Sequence, residues 1–328
     1  MVQPTLLAYR GGVFHALLVL AAAVLWGTTG TAQALGPDGL DPLLVGAGRL
    51  VLGGALLVAY AVASRAWTRR TGRLSPRDLA VAAACVAAYQ LCFFAGVARA
   101  GVAVGTLIAI GSAPVFTGLV GWLAGQGRPS RVWAVATMLA VAGCAALVLG
   151  GQGPDAGTGG RVPSGPDPLG VVLALGAGLS YAGYTVGSKR LVSTVGPTGA
   201  MAAVFGSAGL LLLPVLVIRI ATVGADAAPA GTVSVVVYLA VVPTALAYLL
   251  FGRGLEGLHP PVVATLSLAE PLVASILGVA VLGEPVTPLR LAGAALIFAG
   301  LATSMLAARP PRPPPNSPRV DLGVVPAS

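Results

Sequence analysis

Ten apolar stretches of about 20 residues dominate this chain, and that length is what a helix needs to cross roughly 30 Å of hydrocarbon. They run over 14–35, 43–64, 79–98, 102–124, 132–150, 169–188, 199–220, 232–252, 261–282 and 289–307. Backbone groups in lipid must bond within their own segment, and these runs are continuous rather than alternating. The spacing therefore predicts helices and not barrel strands. Composition agrees: 56% of the 328 residues are hydrophobic, 9% are charged and the mean hydropathy is +0.91, more apolar surface than a soluble core of this length can hide. The expected fold class is an all-α integral membrane protein with ten transmembrane helices.

Orientation follows from the cations. With the N-terminus inside, Arg10, Arg65, Arg69, Arg70, Arg73, Arg77, Arg128, Arg131, Lys189, Arg190, Arg253, Arg309, Arg312 and Arg319 all fall in the cytoplasm, 14 of the 19 basic residues. Arg99, Arg161, Arg219 and Arg290 fall outside, and Arg49 lies within the second span. Both termini are expected to be cytoplasmic, and the net charge of +9 is read as a topology signal. A nucleic-acid surface would need basic residues clustered on a soluble face, and no such domain exists here. Arg10, the apolar run 13–25 and Ala32-Gln33-Ala34 imitate a cleavable secretory signal. The run extends past the usual length of such a signal, so it is read as an uncleaved first helix.

The chain also reads as a duplication. Setting "APVFTGLVGWLAG" (113–125) against "EPLVASILGVAVLG" (270–283) brings Pro114 onto Pro271 and Gly121 onto Gly278. The same offset brings Leu139 onto Leu296 and Ala142-Gly143 onto Ala299-Gly300. The expected units are a cytoplasmic segment 1–13, a five-helix repeat 14–150, a Gly/Pro-rich external linker 151–168, a second five-helix repeat 169–307 and a disordered Pro-rich cytoplasmic tail 308–328. An odd number of helices per repeat inverts one half relative to the other, the architecture of secondary transporters with a midplane site between the repeats.

The stretches "LWG" (25–27), "AAYQLCFFAGVARAGVAVGTLIAIGSAPVFTGL" (87–119), "PTALAYLLFGRGLEGLHPPVVATLSLAEPLVASILGVAVLGE" (243–284) and "GAALIFAGL" (293–301) resemble, in this order, the two EamA-type domains of the drug/metabolite transporter superfamily. The resemblance covers nearly all of 14–307. It implies a ten-helix carrier of the bacterial cytoplasmic membrane with cytoplasmic termini, akin to exporters of amino acids and related metabolites. One departure is Gly125-Gln126 where the second half has Gly283-Glu284, so that carboxylate is not treated as one of a pair.

Within the spans the polar residues are few. A carboxylate at a helix centre costs about 2.5–3.5 kcal/mol, and Glu270 sits close to the midplane of the ninth span, too deep to snorkel. Pro occurs at the equivalent place in both halves, so Pro114 and Pro271 are read as helix kinks that free the carbonyls of Ile110 and Ser267. Glu270 occurs only in the second half, where the first has Ala113; it is read either as a site for a cationic group or a coupled proton, or as a packing lock. Arg49 either clamps a substrate carboxylate or reaches the headgroups. Trp26 and Thr29 in the first span and Tyr181 and Tyr184 in the sixth occupy equivalent helices, and with Tyr89, Gln90 and Tyr248 they are expected to line a central cavity. The opposing reading is ordinary interfacial aromatics and interhelical hydrogen bonds. Gly143 and Gly300 are read as sites where helices approach closely.

Other chemistry is excluded. Cys85, Cys92 and Cys144 lie in spans without C-x-x-C spacing, so no metal or disulfide framework is expected. No nucleophile with a base, and no catalytic cluster, is legible, so the chain is not read as an enzyme. A channel would need a ring of like charges or filter carbonyls. The remaining reading is a carrier that works by alternating access, exporting amino acids or their analogues, with a multidrug exporter of the same fold as the alternative. It needs no cofactor; its partners are a small-molecule substrate and membrane lipid, with no nucleic acid. Proton coupling, direction, and monomer versus homodimer are left open.

Overall fold

Proline directly after a residue in extended conformation opens several of the helices. Asp41 accepts a hydrogen bond from the Leu44 amide at 2.7 Å ahead of Pro42, and Ser75 accepts one from Asp78 at 3.3 Å ahead of Pro76. Proline suits the first helical position because its missing N–H would be unpaired there anyway. In the computed structural model, which describes residues 4–67, 72–151, 167–223 and 230–307, no strand occurs among the described residues. The helices are α1 (Pro4–Ala34), α2 (Pro42–Ala63), α3 (Pro76–Ala100), α4 (Val102–Leu123), α5 (Arg131–Gly150), α6 (Pro168–Val223), α7 (Ala230–Ala240), α8 (Ala247–Gly257), α9 (Pro260–Leu266), α10 (Ala269–Leu282) and α11 (Pro288–Ala307). Most of the linker and all of the tail expected at 151–168 and 308–328 lie outside the described residues.

Among the described residues, nine helical stretches are long and apolar enough to cross a membrane. One of them, Pro168–Thr222, has 55 residues, about 80 Å of helix and far more than one crossing needs. Gly196, at φ 81° and ψ 164°, divides α6 into two arms, which hold the sixth and seventh apolar runs of the sequence. Only glycine adopts that conformation without strain.

Two further stretches are interrupted. Gly231–Gly257 consists of α7 and α8 joined by a π-helical segment, Val241–Leu246. Pro243 lacks the N–H that would bond the Leu239 carbonyl; the Thr244 hydroxyl donates to that carbonyl instead, at 2.7 Å, and the ladder slips into the wider register. The second interruption, between α9 and α10, lies beside Glu270. By contrast α4 continues as helix through Pro114, so the two equivalent prolines have different outcomes.

The first arm of α6 packs against α3 and α4, and the second arm packs against α2. α1 lies against α8 and α10, and α5 pairs with α11. At this last contact the backbones meet: a Cβ on Gly143 would lie 2.6 Å from the Gly293 carbonyl oxygen, and one on Gly293 would lie 2.7 Å from that of Gly143. Gly300 serves the same contact further along, against Ala136 and Ala140, so both glycines read as sites of close approach lie where these two helices meet. Phe205, Phe251, Leu57 and Met201 fill the interior, while Leu123, Met138 and Leu210 stand exposed on the outside, as lipid-facing side chains do.

Candidate functional site

Glu270 and Pro271 are tolerated side by side because the ninth span is not one helix. α9 stops at Leu266, Ser267 and Leu268 form a turn, and α10 begins at Ala269. Pro271 thus falls in the first turn of α10, where the missing N–H costs nothing. The Ser267 carbonyl, deprived of its i+4 donor, accepts the Glu270 amide at 3.0 Å. Glu270 itself sits in that first turn, where the positive end of the helix dipole favours an anion. The turn is held from outside as well. The Ser267 hydroxyl donates to the Val263 carbonyl at 3.0 Å, and the Tyr181 hydroxyl on α6 donates to Ser267 Oγ at 2.9 Å.

A small cavity of about 20 Å³ opens beside this turn, lined by Tyr89, Ala109, Ile110, Ala113, Tyr181 and Glu270 among others. That is room for about one water, so the cavity is contracted around the carboxylate. Among the described residues the Glu270 carboxylate has no hydrogen-bond or ion-pair partner. Arg49 lies within its electrostatic reach yet is held elsewhere: Arg49 Nη2 donates to Gln90 Oε1 at 3.2 Å. The Arg49 side chain is thereby tied to α3 rather than extended to the end of α2. Gln90 is 3% exposed, backs onto Gly46, and its amide nitrogen has no acceptor.

Behind the cavity the aromatic residues form a continuous wall. Tyr89 and Tyr181 have ring centroids 6.4 Å apart, Tyr181 and Tyr184 5.0 Å, Tyr184 and Tyr248 6.5 Å, and Tyr248 and Trp26 5.2 Å. These edge-to-face and tilted contacts join α1, α3, α6 and α8. The Trp26 indole N–H is buried without an acceptor among the described residues. Thus eight of the nine polar or aromatic residues expected to line a cavity, Trp26, Arg49, Tyr89, Gln90, Tyr181, Tyr184, Tyr248 and Glu270, occupy one region. The Thr29 hydroxyl makes no hydrogen bond among the described residues, and the neighbouring Thr28 receives one from the Tyr238 hydroxyl at 2.9 Å. Sequence reasoning missed Phe205, whose ring centroid lies 3.7 Å from that of Tyr248, Phe251 at 5.5 Å from Trp26, and Ser267.

Charged groups elsewhere tie helix ends together. Lys189 Nζ donates to the carbonyls of Leu255 at 2.7 Å and Glu256 at 2.9 Å, and Arg190 donates to the Ala124 carbonyl at 3.0 Å and pairs with Asp78 at 3.5 Å. Arg219 pairs with Asp41, Arg99 with Asp167 at 3.2 Å, and Arg290 with Glu284. The Arg219 guanidinium holds the Asp41 carboxyl below its ordinary range, outweighing the opposite push of burial.

Long apolar helices around a few buried polar groups define a multi-pass membrane protein. The chain belongs to the EamA-like transporter family, whose model matches residues 13–149 and again 168–306. It is 41% identical over 308 residues to "Uncharacterized transporter YwfM" of Bacillus subtilis (strain 168), covering 91% of this chain and 96% of that protein. It is 33% identical over 139 residues to a "Probable amino-acid metabolite efflux pump" of Salmonella typhimurium (strain LT2), covering 40% of this chain and 46% of that protein. A solved crystal structure shares the fold, with a TM-score of 0.73 at 20% identity over 90% of this chain and 97% of that one.

Proposed function

We propose that this protein is a secondary carrier that exports small metabolites, amino acids or their analogues, across the bacterial cytoplasmic membrane by alternating access. The observation that carries the reading is the broken ninth span, which sets an unpaired carboxylate, Glu270, in the first turn of α10 at the edge of an aromatic-walled cavity, with Arg49 held back by Gln90. A discontinuous helix with its dipole end and a charge at a central cavity is how carriers bind polar substrates in lipid. Arg49 and Glu270 would take the carboxylate and the ammonium of a dipolar substrate, and the tyrosines with Trp26 would enclose its apolar part. The relative named for amino-acid metabolite efflux supports that substrate class.

In this reading the molecule has ten spans in two inverted five-helix repeats, 14–150 and 169–307, with both termini in the cytoplasm. Two findings support it. The family model matches twice, and the packing is reciprocal: the first arm of α6 lies on α3 and α4 as α1 lies on α8 and α10. The orientation is also consistent with the charge pairs. Arg99, Arg219 and Arg290, which it puts outside, pair with Asp167, Asp41 and Glu284, which it also puts outside; Arg190 and Asp78 pair inside.

The deciding experiment loads proteoliposomes with a mixed pool of amino acids and metabolites and reads efflux by mass spectrometry, with and without a pH gradient. Selective efflux that responds to the gradient in wild type but not in Glu270→Gln is expected. Efflux that the mutant keeps, gradient response included, would reduce Glu270 to a packing role; no selective efflux from folded protein would sink the carrier reading. A wide range of bulky apolar compounds leaving faster than amino acids would instead favour a multidrug exporter, for which the Phe205, Tyr248, Phe251 and Trp26 wall is equally suited.

A further inference from the structure

The molecule has a second cavity, about 190 Å³ in volume and built from none of the residues beside Glu270. Tyr60 and Ser64 reach it from the end of α2, Arg253 from the end of α8, and Thr198 and Gly199 from the start of the second arm of α6. Spans end at the level of the lipid headgroups, so a cavity between the ends of α2 and α8 lies at headgroup depth. Its volume is room for several waters, far more than the contracted site holds.

The chemistry of its lining has one sign. Arg253 supplies a guanidinium, three hydroxyls come from Tyr60, Ser64 and Thr198, and among the described residues no carboxylate lines it. Arg253 spends one N–H on its own helix, donating Nη1 to the Leu249 carbonyl at 3.3 Å; a guanidinium carries five. Gly196 adds to this by ending the first arm of α6, so that the second arm begins at the cavity wall. An independent observation concerns Trp67. Its indole nitrogen is buried with no hydrogen-bond partner among the described residues, and it lies against Gly199, where a Cβ would be 3.1 Å from it. An indole N–H can only donate. Trp67 thus packs directly behind the Gly199 wall of a cavity whose described lining offers a cation and donors but no carboxylate, the complement of an anionic ligand that accepts.

We propose that this cavity binds an anionic phosphoryl group, the chemistry shared by the headgroup of an acidic phospholipid and by free inorganic phosphate. Arg253 provides the charge, Ser64, Thr198 and Tyr60 provide hydrogen bonds, and Trp67 closes the wall. The site is separate from the substrate cavity and its existence does not depend on what the protein transports.

The test uses the full-length protein purified in uncharged detergent. Short-chain phosphatidylglycerol, phosphatidylcholine and inorganic phosphate are titrated in turn, and binding is read by native mass spectrometry and by thermal unfolding. Phosphatidylglycerol is expected to bind and raise the unfolding temperature. Loss of a charge-assisted contact should weaken binding at least about tenfold in Arg253→Gln. Phosphatidylglycerol binding that inorganic phosphate does not displace identifies a lipid headgroup; displacement identifies a site for phosphate in general. Equal binding of phosphatidylcholine, no binding of either anion, or wild-type affinity in Arg253→Gln would overturn the proposal. Should that variant not fold, Thr198→Val removes a lining hydroxyl at nearly the same size; a several-fold loss supports the site, and unchanged affinity overturns it.

Discussion

Gln90, not Glu270, is the hydrogen-bond partner of Arg49. Its carbonyl oxygen engages Arg49, and its position is fixed by the absence of a side chain at Gly46, where a Cβ would also lie 2.6 Å from the Phe94 ring. Gly46→Ala should therefore displace Gln90, release Arg49 toward Glu270 and weaken substrate binding about tenfold, the worth of a charge-assisted hydrogen bond. A binding titration beside a thermal melt checks this; unchanged affinity would remove Gln90 from the mechanism. At this scale the site was partly legible. Arg49, Gln90 and Glu270 stand out because polar groups in apolar runs are rare. Phe205 and Phe251 do not, because a phenylalanine in such a run looks like any other lipid or core residue.

At the scale of the element, three prolines inside apolar runs have three outcomes. α4 passes through Pro114, the ninth span breaks two residues before Glu270, and Pro243 turns one turn of helix into a π segment. What separates them is the group that satisfies the abandoned carbonyl: the Glu270 amide at Ser267, the Thr244 hydroxyl at Leu239. The prolines are visible in the sequence, whereas the partner depends on local geometry that composition does not encode. Thr244→Val should destabilise the protein by about 1–3 kcal/mol, because it strands a buried carbonyl. In a Pro243→Ala background, where the backbone N–H returns, the same change should cost much less. Equal penalties in both backgrounds would show that the hydroxyl does not replace the proline donor. Gly53 packs against this segment, with a Cβ there 2.5 Å from the Thr244 methyl, so a wider turn would press on α2.

For the molecule as a whole, the ten apolar runs are legible from length and hydropathy, the two arms of α6 included; the form of the joint between those arms is not, because nothing in the sequence around "VGPTG" distinguishes a one-residue joint from a loop. The proposed inversion of the halves has a direct test. In a cysteine-free background, Gly39→Cys and Ser193→Cys follow the first helix of each repeat. They should react with an impermeant thiol reagent from outside and from inside respectively; labelling from the same side would dismiss the inverted arrangement. Acid offers a second probe. Because Arg219 lowers the folded-state pKa of Asp41 beneath its ordinary value, this pair stabilises the fold above about pH 4, and that contribution disappears as the pH falls through the lowered value. Asp41→Asn, which keeps a good helix cap, should flatten the acid limb of the thermal stability profile, and an unaltered limb would assign it to other groups.

The reciprocal packing means that neither half owns its interior. α1 lies against α8 and α10, while α3 and α4 lie against the first arm of α6, so each half completes the other's core. Such a molecule resembles two clasped hands more than two modules on a string. A half synthesised first must wait in the membrane with its contact faces turned to lipid until the other half arrives to cover them.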